Sequence, residues 1–334
     1  MMKRKKALII CMTAVLLAAS LSGCASENTE SKELLVAHTH SENHPVQKGL
    51  EAFCEEMEAD TSYTFSIYPN GQLGADSDMI QMVRAGVLDI AKVSASRLEQ
   101  FNSAYAIFSL PYVFKSQEHY FNTMQNSKAV KEIFESTYDQ GFVAIGWYDS
   151  GQRSIYTVKE GPIETPADLK GLKIRTQDSP TSIEMIRNMG GSATPMNGGE
   201  VYSSLQQGII DGAENNETVL SDDGHGDVAK HYTYTEHQYT PDIVIMSTKT
   251  LESMSEEDQK KVFQAMEKSW NVHEEAWNEI VTRNTEEALE KGVQFYKIDK
   301  TPFIEACLPQ QEKFRQENEK NAEYLDDFLS YTVE

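Results

Sequence analysis

Four absences frame this sequence of 334 residues. It lacks positive charge: 30 lysines and arginines stand against 52 aspartates and glutamates, a net charge of −22 at pH 7. That excludes nucleic acid as a default partner, because phosphate binding wants a basic face, and it excludes adsorption to anionic lipid by charge alone. It lacks a membrane span near its start, since the apolar stretch ALIICMTAVLLAAS is fourteen residues long where a helix needs roughly 20. It is poor in cysteine: beyond position 24 only Cys54 and Cys307 remain, and one pair makes no disulfide framework. Cys54, inside the amphipathic LEAFCEEM, reads as a small core residue. Enzyme signatures are missing too, with no G-x-S-x-G elbow, H-E-x-x-H, Walker loop or G-x-G-x-x-G opening a helix. Among 52 acidic residues a carboxylate pair can always be found, so it carries no weight, and a secreted carbohydrate hydrolase is kept only as an alternative.

What is present begins with a basic MMKRKK, the apolar stretch, and then Leu21-Ser22-Gly23-Cys24. This is the layout of a secretory signal, and its end resembles the lipobox of bacterial lipoproteins. That resemblance implies cleavage after residue 23, acylation of Cys24, and a protein anchored by lipid to the outer face of the cytoplasmic membrane. Residues 24–32 are polar and aperiodic, suited to a tether. Losing 1–23 removes Lys3, Arg4, Lys5 and Lys6 and no acid, so the net charge becomes −26.

From residue 33 strand and helix alternate. ELLVAHTH reads as a strand, HPVQKGLEAFCEEMEA as an amphipathic helix, YTFSIYP as a strand, ADSDMIQMVRAG as a helix closed by Gly86, and VLDIAKVS as a strand. This predicts an α/β fold with largely parallel pairing. The length suits two domains. Arg84–Ala91 (RAGVLDIA) is echoed by Gln206–Ala213 (QQGIIDGA), 122 residues later, too far apart for a solenoid and in keeping with two similarly built lobes. TPADLKG predicts a compact helix capped by Thr165 and Asp168. Ser255–Lys291 runs 37 residues without proline or glycine, a helix of roughly 55 Å that either breaks or spans both lobes. The lobes are expected at 33–150 with 241–282, and at 151–240 with 283–334.

Two residue groups carry candidate chemistry. In HTHSENH, His38, His40 and His44 stand close enough for a metal-binding lipoprotein to be one reading; the other has His38 and His44 reaching into a cleft as hydrogen-bonding groups. In GLKIRTQDSP, alternation puts Lys173 and Arg175 on one face, with Arg175 at the end of a strand where α/β sheets bind ligands. The guanidinium fork matches a carboxylate, with Gln177 and Asp178 beside it. Arg153 leads into the strand SIYTV.

HPVQKGLEAF, YPNGQLG, GLKIR, TPMNGGEVYSSLQQGIIDGAEN and SMSEEDQ together resemble the solute-binding proteins of TRAP (tripartite ATP-independent periplasmic) transporters, in order and over nearly the whole chain. The resemblance implies a two-lobed periplasmic-binding-protein-like fold of type II, with mixed sheets and a long helix spanning both lobes. It implies a non-enzymatic monomer that needs no cofactor, takes an organic acid in the cleft and passes it to an ion-coupled membrane permease. It gives Arg175 the ligand carboxylate, Arg153 a second grip, and Asn215, Asp76, Ser94 and His38 places in the pocket. Gly198-Gly199 stands where many members carry a bulky residue. With Asn215-Asn216, this brings the chain closer to members that take sugar acids such as hexuronates.

Overall fold

The computed structural model describes residues 31–332. The expected signal segment, Cys24 and most of the tether lie outside them. The strands are β1 (Lys32–Ala37), β2 (Tyr63–Tyr68), β3 (Ile90–Ser94), β4 (Phe142–Tyr148), β5 (Gln152–Thr157), β6 (Lys173–Thr176), β7 (Ser192–Pro195), β8 (Gly212–Asn215), β9 (His231–Tyr239), β10 (Asp242–Ser247) and β11 (Gln294–Lys297). In the first half of the chain the helices are α1 (Pro45–Asp60), α2 (Asp76–Ala85), α3 (Ala95–Leu98), α4 (Gln117–Asn126) and α5 (Lys128–Glu135). After them come α6 (Pro180–Asn188), α7 (Val201–Gln206), α8 (Val219–Asp222), α9 (Thr248–Glu252), α10 (Glu256–Glu290), α11 (Thr301–Glu317) and α12 (Glu319–Ser330).

Side-chain alternation makes each sheet two-faced. In β1, Leu34 and Val36 enter one hydrophobic cluster while Leu35 and Ala37 pack in another; in β10, Val244 and Met246 join the first and Ile243 and Ile245 the second. The first sheet runs β2-β1-β3-β10-β4 and the second β11-β9-β5-β8-β6-β7, one in each of two lobes. Both sheets are mixed. β1 and β3 run parallel, as do β6, β7 and β8, whereas β10 is antiparallel to β3 and β4, and β5 to β8 and β9. The antiparallel strands are the ones on which the chain changes sheet, at 149–151 between β4 and β5 and at 240–241 between β9 and β10.

The internal echo has a structural meaning. Gly86 and Gly208 both take a left-handed φ, +72° and +68°, to end a helix. Three residues on, Asp89 accepts from Leu35 N at 2.8 Å and Asp211 from Lys173 N at 2.7 Å. In each lobe the aspartate thus ties the start of one parallel strand to its neighbour, so that β3 and β1, and β8 and β6, end together at the cleft.

α10 is one unbroken helix of 35 residues, N-capped by Ser255, whose Oγ accepts from Asp258 N at 3.1 Å. Its Val262, Ala265 and Met266 pack in a first-lobe cluster and its Ala288 in a second-lobe one, so it spans both. TPADLKG forms a short 3₁₀ helix over Pro166–Leu169, and Thr165 N donates to Asp168 Oδ2 at 2.9 Å. The stretch 283–334, expected in the second lobe, is divided. Phe303 and Cys307 of α11 pack with the second sheet, whereas Phe314 and the α12 side chains Tyr324, Leu325 and Phe328 fill a first-lobe core. Amphipathic spacing shows that a helix has an apolar face and says nothing about which core receives it.

Candidate functional site

The strand ends of the two lobes face each other across a cavity of about 550 Å³. Ser94 closes β3, Asn215 closes β8, and Arg175 lies one residue inside the end of β6, all three lining the cavity. This is the crevice at the carboxyl ends of strands where α/β sheets bind ligands.

Two arginines share the second-lobe wall and differ in their partners. Arg153 Nε donates to Glu214 Oε2 at 2.6 Å and its Nη2 to Oε1 at 3.0 Å, while Nη1 reaches Asn215 Oδ1 at 2.7 Å. Burial pushes Glu214 up, but Arg153 and His237 outweigh it and hold the carboxyl at about 2. The charge of Arg153 is therefore already met, and what it does is fix Asn215. Because Asn215 Oδ1 also accepts from Asn216 N at 2.9 Å, its amide nitrogen is left to donate.

Arg175 is buried to 4 % exposure, and its Nε and Nη2 both donate to the Met196 carbonyl, at 3.2 and 2.9 Å. Among the described residues no carboxylate forms an ion pair with it. Burial pulls it down to about 10, an unusual displacement for a guanidinium. A desolvated cation without a counter-charge is costly unless an anion arrives.

The first-lobe wall is assembled around Asp242. Its carboxylate lies 3.2 Å from Lys92 Nζ and 3.5 Å from His40 Nε2; burial pushes it up, yet these partners hold it well below the ordinary carboxylate range. Asp76 Oδ2 accepts from Ser94 N at 3.0 Å, whereas its Oδ1 is buried with no protein partner and the residue lines the cavity. The lobes touch directly above the cavity. Gln177 Oε1 accepts from Ser96 Oγ at 2.5 Å, Arg97 Nη2 donates to Asn197 Oδ1 at 3.0 Å, and Ser179 Oγ donates to Glu99 Oε1 at 2.8 Å.

The structure thus brings Arg175, Arg153, Asn215, Asp76, Ser94 and His44 to one cavity and leaves two sequence-named residues out of it. His38 is fully buried beneath the cleft, its Nε2 bonded to Gln47 Oε1 at 2.7 Å, and burial holds it neutral down to about 3. One residue past its strand end, it extends the inward-facing parity of Val36. Asp178 meets Arg97 at 3.6 Å and Gln100 Nε2 at 3.3 Å, among the contacts between lobes. HTHSENH does not converge on a metal: His40 and His44 stack ring on ring at 3.8 Å, and His44 Nδ1 is occupied in capping α1. Among the described residues no group of three His, Cys, Asp or Glu could hold an ion.

Sequence reasoning missed Lys92, Asp242, Arg97 and Trp277, which also line the cavity. Lys92 was findable, being a lone cation two residues before Ser94 in a buried strand, the same signal that marks Arg175. Asp242 was not, because it reaches the site only through its register opposite Ser94.

The profile of the bacterial extracellular solute-binding proteins, family 7, matches residues 36–318. The chain is 41% identical over 281 residues to the YiiZ protein of Salmonella typhimurium, covering 83% of this chain and 86% of that one. It is 32% identical to a solute-binding protein of Chromohalobacter salexigens, covering 95% and 94%. Among solved structures it resembles a TRAP periplasmic solute-binding protein of Anaerococcus prevotii with bound α/β-D-glucuronate, with TM-score 0.88 and 43% identity over 90% of this chain and 98% of that one. A Sulfitobacter TRAP solute-binding protein with bound β-D-galacturonate gives TM-score 0.85 and 34% identity, over 90% and 100%.

Proposed function

Because this chain belongs to family 7 of the bacterial extracellular solute-binding proteins, the TRAP type, we propose that it captures a hexuronate between its lobes and delivers it to a TRAP membrane permease. The family binds solutes and is not an enzyme family. The observation that carries the sugar-acid reading is Arg175, a buried guanidinium with no carboxylate of its own, opening onto a cavity whose other walls offer hydroxyl partners. Glucuronate and galacturonate in the similar structures favour the same ligand class.

The chemistry follows from the geometry. The ligand carboxylate takes the free edge of Arg175, supplying the missing counter-charge in a wall already dry. Asp76 Oδ1, an unpartnered acceptor, takes a sugar hydroxyl, and the Asn215 amide donates to another. Lys92 and the stacked histidines bound the ring from the first lobe. A protein at −22 repels anions at long range, so selection rests on this local site and not on steering. Closing the lobes excludes water and strengthens each charged pair.

The same reading places the protein outside the cytoplasm, held through acylated Cys24. Among the described residues no helix is long and apolar enough to cross a membrane. Metabolic labelling with a fatty acid tests the anchor, and a Cys24→Ala protein that still incorporates label refutes it. Calorimetry of the purified protein with D-glucuronate, D-galacturonate and a C4 dicarboxylate tests the ligand. Micromolar binding corresponds to about 8 kcal/mol; tighter binding of the dicarboxylate than of either hexuronate would overturn the sugar-acid assignment.

A further inference from the structure

Two glycines of the cavity wall serve neither the backbone nor the packing. Among the described residues, every other glycine either holds a left-handed φ or would bring a Cβ within 3.0 Å of a neighbour. Gly198 and Gly199 do neither: their φ lies outside the left-handed region, and a Cβ at either would meet nothing within 4 Å. Glycine weakens a helical turn relative to alanine, and these two open the turn Gly198–Glu200 that leads into α7. What they leave is space, because both line the cavity. A hexuronate does not fill that cavity. Even at about 30 Å³ for each of its thirteen non-hydrogen atoms, the share of a water molecule in the liquid, it occupies about 390 Å³, whereas the cavity measures about 550 Å³.

The spare room adjoins Arg175. The Met196 carbonyl that takes both guanidinium bonds stands two residues before Gly198. Across the sheet, Ala213 is in register with Arg175 on one side and Tyr156 on the other. The two long side chains therefore share a face, about 10 Å apart at ordinary strand spacing. Tyr156 holds His225: its Oη lies 2.8 Å from Nδ1, and the rings stack at 5.7 Å. His225 is 3 % exposed and lines the cavity, and its Nε2 has no partner among the described residues. Burial, and after it Arg175, holds this ring neutral down to about 4. A neutral imidazole nitrogen suits a hydroxyl whichever tautomer is present. The Tyr202 ring, on the first turn of α7, packs against Gly224, where a Cβ would lie 3.7 Å from it. Asp222 and Asp223, next along the chain, line the cavity and form no ion pair among the described residues. Of the cations on α10 and just beyond it, Arg283 pairs with Glu287 and Lys291 with Asp227. Carboxylates without a cation accept hydroxyls and repel a second acid.

We propose that the cavity carries a second subsite beside Arg175, bounded by Gly198, Gly199, Tyr202, Asp222, Asp223 and His225, and that it takes a neutral sugar joined to the uronate. The ligand is then an aldobiouronate, a disaccharide with one acidic and one neutral ring. The inference rests on the hexuronate reading above, which supplies the carboxylate at Arg175. The glycines leave the second ring its volume, the Tyr202 ring gives it an apolar face, and His225 and the two aspartates take its hydroxyls.

The test is calorimetry of the protein with D-glucuronate, glucuronosyl-xylose and digalacturonate. Two or more added hydroxyl bonds of neutral strength should make glucuronosyl-xylose bind roughly tenfold tighter than D-glucuronate, with digalacturonate weaker than glucuronosyl-xylose. Gly198→Leu, or Gly199→Leu should the first fail to fold, fills the space and should cancel the advantage of glucuronosyl-xylose over D-glucuronate. Gly199→Ala should melt at or above the wild-type temperature, since neither φ nor packing asks for glycine there; a drop of several degrees would overturn the reading of these glycines as space. If D-glucuronate binds and glucuronosyl-xylose binds no tighter, the second subsite fails and the hexuronate reading stands. Equal weakening of both ligands by leucine also overturns the subsite. Digalacturonate binding as tightly as glucuronosyl-xylose overturns the neutral-sugar assignment. If none of the three binds, the hexuronate reading fails and takes this inference with it.

Discussion

Arg175 and Arg153 stand in the same wall and should respond to mutation in opposite ways. Among the described residues no carboxylate forms an ion pair with Arg175, so Arg175→Ala removes the ligand's counter-charge and leaves the fold intact. Breaking one side of a buried charge pair costs about 3–5 kcal/mol; calorimetry should show hexuronate affinity falling by roughly two to three and a half orders of magnitude. Arg175→Lys should also bind poorly, since a point charge cannot donate two parallel bonds. Glu214→Gln acts on stability instead. It strands Arg153 without a counter-charge, at about 3–5 kcal/mol by the same rule, and scanning calorimetry at pH 7 should show a lower Tm. The pH dependence has a definite sign. The Glu214 carboxyl is held at about 2 against an ordinary 4.5, so its stabilisation is complete above about 4.5 and is lost as pH falls towards 2. The wild type should lose this increment on acidification and Glu214→Gln should not. Asp76→Asn replaces a charged acceptor with a neutral one; at about 1.5–3 kcal/mol for a charged hydrogen bond, hexuronate binding should weaken roughly tenfold to a hundredfold in the same titration.

At the scale of elements, Asp89 and Asp211 do one job twice, each accepting a backbone N–H of the neighbouring parallel strand. Alanine at either position should cost about 1–3 kcal/mol, read as a lower urea midpoint with unchanged slope. Unequal effects, one large and one absent, would show that the echo in sequence is not an echo in energetics. Helix ends and strand parity were legible because they are local. Gly86, Gly208 and Ser255 act within one turn of chain, and alternation in LKIR places Arg175 without reference to any other segment. His38 shows the limit of that reasoning. It lies one residue beyond its strand, and whether it enters the cleft or the core depends on where Gln47 of α1 packs, which local spacing does not contain.

At the scale of the molecule, the proposed function makes ligand binding and lobe closure one event. A ligand that binds only the folded, closed form raises stability by about 2.7 kcal/mol at a hundredfold excess over Kd, so Tm should climb with hexuronate concentration. Gln177→Ala removes a contact between lobes without touching Arg175; at about 1 kcal/mol for a neutral hydrogen bond, affinity should fall roughly fivefold, mainly through faster release in stopped-flow measurements. The sequence by itself determined the α/β class, the caps, the spanning length of α10 and the carboxylate-binding candidate, because charge parity and helix length are written along the chain. Only the tertiary structure decided which of two arginines keeps a free charge, that Asp242 joins Lys92 at the site, and that α12 returns to the first lobe. Each of these depends on partners brought together from distant segments, and the energy of a buried charge is set by its partners and its dryness, neither of which exists until the chain has folded.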